Sequence, residues 1–347
     1  MQRLFVRAFT CVPWLAGLIG TVPVLADGVY WVQGTGTSSR VVRSNLDGTG
    51  PATIVSFSEV SGPTAIAVDA VVGSLYWSDG VSNQSRIRRA GVDGSGPVTL
   101  LAWPLKSNTK GIDVDSASAK LYWAEGTGND SRILRSGLTG AGFEPLVAWP
   151  QVSDPKTIAV DAAGGKFYWA QGVGTSSRIL RANLDGTGVE AIPSLVWPQV
   201  SDPTGIAVDS SGGKLYWCQS TGNNSRLLRS NLDGSSPAPI VSWPQVLDPK
   251  AISLDPTSLR MYWAQGASTT TEIVRANLDG SAAATIVNWP QASDVVGLDA
   301  VVGPAAPIPT LSHWGLLVMA LVLLSVATVL LRVRTALEGI EKDQGPN

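Results

Sequence analysis

Six Tyr-Trp pairs recur along the central part of the chain. Their tryptophans are separated by 46, 46, 46, 48 and 46 residues and stand at Trp31, Trp77, Trp123, Trp169, Trp217 and Trp263. Each unit contains four short runs with β-branched or aromatic residues, and Gly, Asp, Asn or Pro separates these runs. Such short runs do not suit the longer helices of a helical solenoid. The period predicts an all-β fold, a six-bladed β-propeller with four-stranded blades.

The two ends of the repeat array predict that the ring closes on itself. The array begins with a second strand, Val29-Tyr30-Trp31, and ends with Val295–Gly303, which has the pattern of Ile66–Gly73 but no Tyr-Trp after it. The strand 295–299 is therefore expected to complete the first blade, so that residues 27–303 form one closed propeller. Closure removes the free sheet edges that an open array exposes.

Residues 1–26 are predicted to be a secretory signal peptide. Arg3 and Arg7 precede an apolar run, and Val-Leu-Ala precedes Asp27, which indicates cleavage near Ala26. A first membrane helix is the alternative, and the prolines and glycines that interrupt the run disfavour it. The charged fraction of 15% is below the roughly 25% of typical soluble domains, which indicates that part of the chain does not face water.

Residues 315–331 form an uncharged run that is predicted to be a transmembrane helix. As a helix the run is about 26 Å long, close to the lower limit for crossing a bilayer core of roughly 30 Å. Trp314 precedes the run, and Arg332 and Arg334 follow it. Arginines stay on the cytoplasmic side, so residues 332–347 are expected to be a cytoplasmic tail and the propeller to lie outside. The alternative, a buried core helix, is disfavoured because the run is apolar on all faces.

The predicted linker 304–314 carries a recognisable motif. Ile308-Pro309-Thr310-Leu311-Ser312-His313-Trp314-Gly315, followed by an apolar run and two arginines, resembles the IPTL-CTERM sorting signal of Gram-negative bacteria. The resemblance rests on Ile308, Pro309, Thr310, Leu311, Trp314, Gly315, Arg332 and Arg334. It implies an exosortase-type sorting enzyme as partner, cleavage near the motif and transfer to the cell surface. The tail 335–347 is longer than such signals usually carry.

The repeats also resemble a known family. The Tyr-Trp pair, the Arg-x-x-Arg strand and the Leu-Asp-Gly turn of residues 28–303 are similar to the YWTD repeat of low-density lipoprotein receptors (the LDL-receptor class B repeat), which forms a six-bladed propeller. Only Asp79 keeps the Asp of the family motif, and its place is otherwise taken by Gln33, Glu125, Gln171, Gln219 and Gln265. These side chains are expected to remake the hydrogen bonds of that Asp. The resemblance implies the fold but not receptor function.

Residues that recur in the blades are interpreted as architecture. One acidic set either caps turns, which is favoured, or rings the axis and binds a cation: Asp69, Asp115, Asp161, Asp209, Asp255 and Asp299. One arginine set is predicted to pair with the Asp of adjacent Asp-Gly turns, with anion binding as the alternative: Arg43, Arg89, Arg135, Arg181, Arg229 and Arg275. The tryptophans before Pro are predicted to pack at blade edges, with a carbohydrate-stacking belt as the alternative: Trp103, Trp149, Trp197, Trp243 and Trp289.

A candidate ligand site lies where the blades differ. Lys110, Lys156 and Lys250 open three of the first strands, and together they can hold an anionic ligand at the channel mouth. Ordinary solvated surface lysines are the favoured alternative. Asp113 is the best single candidate for a functional polar group in the channel, at a position otherwise held by Ala67, Ala159, Ala207, Ser253 and Gly297. Cys218 is interpreted as a small buried filler.

Composition narrows the function classes. The only histidine, His313, lies in the sorting motif, so the repeats carry neither a Ser/His/Asp triad nor a histidine zinc site. Five of the 25 basic residues and three of the 27 acidic residues lie at the two ends, so the repeats have a net charge near −4, which disfavours nucleic acid.

The function predicted from these features is a non-enzymatic binding or scaffold propeller at the cell surface or outside the cell. Its partner is expected to be an extracellular protein or glycan, and no catalytic residue, cofactor or metal site is predicted. Two alternatives stay open, a propeller enzyme of lactonase or lyase type with a channel metal, and a passive spacer in the matrix. First strands rich in Ala, Gly, Ile and Val favour the binding module.

Overall fold

The computed structural model describes residues 27–80, 85–102, 108–266, 270–288 and 290–302. The predicted signal peptide (1–26), the IPTL motif, the predicted transmembrane helix (315–331) and the tail 332–347 lie outside the described residues. Within the described ranges, no helix is long and apolar enough to cross a membrane.

The described residues form an all-β, six-bladed propeller, as predicted from the repeats. Each blade is one antiparallel sheet of four strands. Blade 1 contains β24 (Val295–Val301), β1 (Gly28–Gln33), β2 (Arg40–Ser44) and β3 (Ala52–Val55). Blade 2 contains β4 (Ala65–Asp69), β5 (Ser74–Asp79), β6 (Arg86–Gly91) and β7 (Val98–Ala102). Blade 3 contains β8 (Thr109–Asp115), β9 (Lys120–Glu125), β10 (Arg132–Gly137) and β11 (Glu144–Ala148).

The other three blades repeat this order. Blade 4 contains β12 (Pro155–Asp161), β13 (Lys166–Gln171), β14 (Arg178–Asn183) and β15 (Glu190–Val196). Blade 5 contains β16 (Pro203–Asp209), β17 (Lys214–Gln219), β18 (Arg226–Asn231) and β19 (Ala238–Ser242). Blade 6 contains β20 (Pro249–Asp255), β21 (Arg260–Gln265), β22 (Glu272–Asn277) and β23 (Ala284–Asn288). Short 3-10 turns join second and third strands at Gly36–Ser38, Gly128–Asp130, Gly174–Ser176 and Gly222–Asn224.

The Tyr-Trp pair explains why the blades stack. Successive residues of a strand point to opposite faces of the sheet, so the tyrosine and the tryptophan of one pair serve different neighbours. Trp31 shares a core cluster with Tyr262 of blade 6, and Trp77 of blade 2 shares the next one with Tyr30. All twelve side chains of the six pairs are fully buried. Each junction between blades is therefore filled by one large aromatic residue from either side.

The last strand closes the ring, as predicted. Strand β24 pairs antiparallel with β1 and extends two residues beyond the predicted 295–299. Its register differs from the one expected from the sequence. Asp299 lies opposite Tyr30, as Asp113 lies opposite Tyr122, so Asp299 corresponds to Asp113 and not to Asp69. A shift of two residues keeps every side chain on its own face, so the apolar pattern did not reveal it.

Four of the six repeated arginines bridge neighbouring blades in a way that the sequence did not predict. The Nη1 atoms of Arg135, Arg181 and Arg229 donate to the carbonyl oxygen of a leucine in the Leu-Asp-Gly turn of the next blade. Arg275 donates to Leu46 in the same way and joins blade 6 to blade 1. The predicted pairing with the Asp of these turns is wrong, because each of those carboxylates accepts the backbone N–H two residues further along its own turn, as Asp185 does from Thr187 at 2.9 Å.

The fourth motif position accepts the indole N–H of its Tyr-Trp pair in five blades, and Gln219 of blade 5 is the exception. Oε1 of Gln171 accepts the indole N–H of Trp169 at 2.8 Å and the backbone N–H of Ser153 at 3.2 Å. Asp79 and Glu125 accept the indole N–H of Trp77 and Trp123. A glutamine thus ties the second strand of its blade to the loop that enters that blade, which fixes the start of the inner strand.

Candidate functional site

The inner strands β24, β4, β8, β12, β16 and β20 line a channel along the axis of the propeller. This channel encloses about 240 Å³ and receives side chains from all six inner strands. We call the face where the inner strands begin the entry face, because the loops that enter each blade lie on it. Alanine, glycine and isoleucine make up much of the channel wall, so its few charged side chains decide its chemistry.

The three predicted lysines lie on the entry face, where Lys110 and Lys250 line the channel and Lys156 neighbours Lys110 on the next blade. Each lysine is the second residue of its inner strand, and each is partly buried. The Nζ of Lys250 forms an ion pair with Oδ2 of Asp248 at 2.6 Å. Among the described residues, Lys110 and Lys156 form no ion pair.

Lys110 and Lys156 sit on neighbouring blades and repel each other. Burial, followed by the positive charge of Lys156, lowers the pKa of Lys110, and Asp154 opposes this shift only in part. Oδ1 of Asp154 accepts the backbone N–H of Gly128 at 3.1 Å, at the start of a 3-10 turn. Asp154 is thus bonded to a loop amide and forms no ion pair with either lysine, so both ammonium groups are available to an incoming anion. We call Lys110 and Lys156 the lysine pair.

Two carboxylates lie deeper in the channel. The structure places Asp113 there, as the sequence suggested, and adds Asp299, which the sequence assigned to a turn. Oδ2 of Asp113 accepts the backbone N–H of Val160 in blade 4 at 2.6 Å. Oδ2 of Asp299 accepts the backbone N–H of Val68 in blade 2 at 2.8 Å. Each carboxylate thus satisfies an inner-strand edge amide of the next blade, since no further strand pairs with that edge.

The position of these carboxylates makes them easier to protonate. Desolvation raises the pKa of Asp113 to about 7, with the negative charge of Asp299 adding to the effect and the amide of Val160 opposing it. Desolvation likewise raises the pKa of Asp299 to about 6, although Oδ1 accepts a hydrogen bond from the hydroxyl of Ser253 at 2.8 Å. The charge of the channel therefore changes between weakly acidic and neutral pH.

Five of the six repeated aspartates cap turns, which agrees with the favoured interpretation. Oδ1 of Asp69 accepts the backbone N–H of Val72, three residues further on, at 3.1 Å, and the equivalent bond is made by Asp115, Asp161, Asp209 and Asp255. Asp299 is not part of this set, because it faces the channel. Within the described ranges, no group of three or more His, Cys, Asp or Glu side chains is arranged to hold a metal ion.

The described tryptophans that precede proline are not buried at the blade edges. Trp149, Trp197 and Trp243 are 50%, 49% and 48% exposed, and Phe57 in the corresponding place of blade 1 is 44% exposed. Trp103 and Trp289 lie outside the described residues. The prediction of edge packing is wrong for the three described tryptophans, because the valine three residues further on anchors each loop instead. These anchors are fully buried: Val60, Val152, Val200 and Val246.

Cys218 is a buried residue of β17, as expected from the sequence. Burial raises the pKa of its thiol to about 12, so it stays a neutral thiol at physiological pH. The Thr204 hydroxyl lies 3.3 Å from its Sγ. This environment suits a packing role and not a nucleophile.

Comparisons with known proteins support the fold and the C-terminal signal. Residues 306–334 match the family model of the IPTL-CTERM motif. This sorting signal indicates export and a cell-surface location in a bacterium. No curated protein matches the sequence of the chain.

Several solved structures share the propeller fold. A structure titled as a nidogen/laminin complex aligns with a TM-score of 0.67 and 19% identity, over 80% of this chain and 99% of that chain. TolB from Acinetobacter baumannii aligns with a TM-score of 0.64 and 12% identity, over 80% of this chain and 67% of that one. The GH74 enzyme from Niastella koreensis aligns with a TM-score of 0.55 and 15% identity, over 76% and 46%. At these identities the similarity concerns the fold alone. The similar structures include the YWTD-like propeller of nidogen.

Proposed function

We propose that this protein is an exported, non-enzymatic binding module that captures an acidic group of an extracellular ligand at the lysine pair. Lys110 and Lys156 carry the proposal, because two neighbouring, partly buried ammonium groups have no ion-pair partner in the described part of the chain. An incoming carboxylate relieves their mutual repulsion and accepts hydrogen bonds from both.

The channel carboxylates support a binding role and not a catalytic one. Both oxygens of Asp113 accept backbone N–H groups, from Val114 at 2.7 Å and Val160 at 2.6 Å. Asp299 is held by Val68 and Ser253. Such bonds tie inner strands together across blade boundaries. This task is structural, and the alanine side chains that line the channel elsewhere cannot perform it.

Export is proposed to use both ends of the chain. Residues 1–26 would direct secretion across the inner membrane of a Gram-negative bacterium. Residues 315–331 would hold the protein in the membrane until an exosortase-type enzyme processes the motif that starts at Ile308. The inner strand β24 runs away from the entry face and ends at Val301, so the chain leaves the propeller at the end opposite the lysine pair.

A short oligomer of glutamate tests the proposal with the full chain in mild detergent. Isothermal titration should show binding that weakens as salt increases, and Lys110→Ala/Lys156→Ala should weaken it about tenfold or more. The matched control is Lys166→Ala/Lys214→Ala, which removes the same charge at the other end of the same disc, where each lysine bonds an asparagine. Equal weakening by both pairs would show unspecific charge attraction and contradict the proposal.

A further inference from the structure

Four of the loops that enter a blade are fully described, and each runs across the entry face from an aromatic residue to the start of an inner strand. Trp149 stands seven residues before Lys156, and Trp243 stands seven residues before Lys250. The same spacing joins Trp197 to Thr204 and Phe57 to Thr64. The buried valine between the two ends holds the loop on the face. The exposed aromatic residues and the lysine pair therefore belong to one surface.

The backbone of these loops presents the tryptophans in the same way in three consecutive blades. The backbone N–H groups of Trp149, Trp197 and Trp243 donate to a serine carbonyl oxygen at 3.0 Å in each case. Pro and Gln follow each tryptophan, and all of these residues are exposed. An indole face beside a primary amide offers an apolar plate together with hydrogen-bond donors and an acceptor.

This combination matches the surface of a sugar ring, which has an apolar C–H face and hydroxyl groups at its edge. The C–H face stacks on an indole, while the amide of Gln151, Gln199 or Gln245 bonds a hydroxyl group. Three equivalent plates on consecutive blades suit a ligand that is itself a repeat, because weak contacts to linked units add through effective concentration. A folded protein partner would instead need a contiguous buried centre.

We propose that the entry face binds an acidic polysaccharide of the polyuronate type. Its sugar rings stack on Trp149, Trp197 and Trp243, and its carboxylates reach the lysine pair. The net charge of the repeats is near −4, so the preference for an acidic polymer over a neutral one is local and rests on Lys110 and Lys156, which lack an ion-pair partner among the described residues. This inference rests on the proposed function and names the class of its ligand.

The test titrates the full chain in mild detergent with oligogalacturonate, neutral dextran, oligoglutamate and anionic phosphatidylglycerol vesicles. Two tryptophan variants isolate stacking. Trp149→Leu/Trp197→Leu keeps apolar bulk and removes the aromatic plates, and Trp149→Tyr/Trp197→Tyr restores them. Both positions are half exposed, so the melting temperature should change little.

We expect oligogalacturonate to bind, the leucine variant to bind it about tenfold more weakly and the tyrosine variant to recover most of the loss. The leucine variant should bind oligoglutamate as the wild type does, whereas Lys110→Ala/Lys156→Ala should lose both ligands. If the leucine variant bound oligogalacturonate as tightly as the wild type does, the inference would be overturned. Tighter binding of dextran or of the vesicles than of oligogalacturonate would also overturn it. Binding of oligoglutamate alone would overturn it while leaving the proposed function in place, and binding of neither acidic oligomer would overturn both.

Discussion

Arg275 donates a hydrogen bond from Nη1 to the carbonyl oxygen of Leu46 at 3.2 Å, across 229 residues of sequence. The bond joins blade 6 to the turn between β2 and β3 of blade 1. The three internal junctions between blades 3 and 6 have the same bond, for example from Arg229 to Leu278 at 3.3 Å. At an internal junction the chain itself also connects the two blades. Strands β1 to β3 have no such link to blade 6 and are held to it by non-covalent contacts and by pairing with β24.

We predict that Arg275→Met opens the first blade more often than the wild type does. The substitution keeps the aliphatic stem and removes a charged donor, which should cost about 1 kcal/mol of the local opening free energy, or about a fivefold increase in opening. Native-state hydrogen exchange of the β1 amides measures this. Arg229→Met is the matched control, because Arg229, like Arg275, lies opposite an alanine of the outer strand of its blade. Faster β1 exchange in both variants, or in neither, would contradict the prediction.

The channel carboxylates should make stability depend on pH in an unusual direction. The folded pKa of Asp113, about 7, lies above its ordinary 3.8, so the folded state binds more protons than the unfolded chain between these values. The wild type therefore loses stability as pH rises through this window. Asp113→Asn removes the titration but keeps only one of the two acceptor oxygens, so it loses one amide bond at every pH. We predict that its stability relative to the wild type rises from pH 4 to pH 8. The gain is at most about 4 kcal/mol, because one pKa unit corresponds to about 1.4 kcal/mol.

Asp299→Asn provides the companion measurement. The pKa of Asp299 is raised only to about 6, so its difference from the wild type should be complete at a lower pH than that of Asp113→Asn. Thermal unfolding scans from pH 4 to pH 8 give both curves. Stability differences that are the same at every pH would show that neither carboxyl titrates in the folded channel.

Gln219 leaves two donors of its blade without acceptors. Nε1 of Trp217 and Nε of Arg226 are buried and have no hydrogen-bond partner in the described part of the chain, whereas Glu125 accepts both the indole of Trp123 and the guanidinium of Arg132. We predict that Gln219→Glu supplies the missing acceptor and stabilises the fold by about 1 kcal/mol, or about 2 °C in melting temperature. The gain should disappear in acid, as the new carboxylate protonates.

The reverse substitution in blade 3 is the control for that prediction. Glu125→Gln breaks the ion pair with Arg132, whose Nη2 lies 2.6 Å from the carboxylate, so it should lower the melting temperature at neutral pH. A destabilising Gln219→Glu together with a harmless Glu125→Gln would show that desolvation of the carboxylate outweighs the bonds that it accepts.

Most of the fold was predictable from the sequence, because the Tyr-Trp period reports a physical requirement. Each junction needs one tyrosine and one tryptophan, and the repeat counts the junctions directly. The closing strand was also found, since the array starts without its first strand. Its register was not, because Asp299 stands in an apolar pattern that repeats every two residues and no Tyr-Trp pair follows to fix it.

The candidate site was predictable only in part. Lys110, Asp113 and Lys250 line the channel, whereas Lys156 lies beside Lys110 on the next blade. Spacing did not reveal that Trp149 is half exposed, since exposure depends on which residue of the loop anchors it, and a neighbouring valine does so here. The hydrogen-bond partner of Asp154 likewise depends on a turn in the adjacent blade, because that turn offers the backbone N–H of Gly128 in place of a lysine.

The pKa of the Lys110 ammonium group tests the central claim most directly. In the free protein, burial and Lys156 lower this pKa from its ordinary value, and a bound carboxylate must raise it because the negative charge favours the protonated lysine. The measurement is an NMR titration of the lysine side chains of the full chain, first alone and then saturated with oligogalacturonate. We predict a lowered pKa for Lys110 that rises on binding of oligogalacturonate and does not rise when neutral dextran is added instead. An unchanged Lys110 pKa in the saturated protein would show that the acidic ligand is not held at the lysine pair.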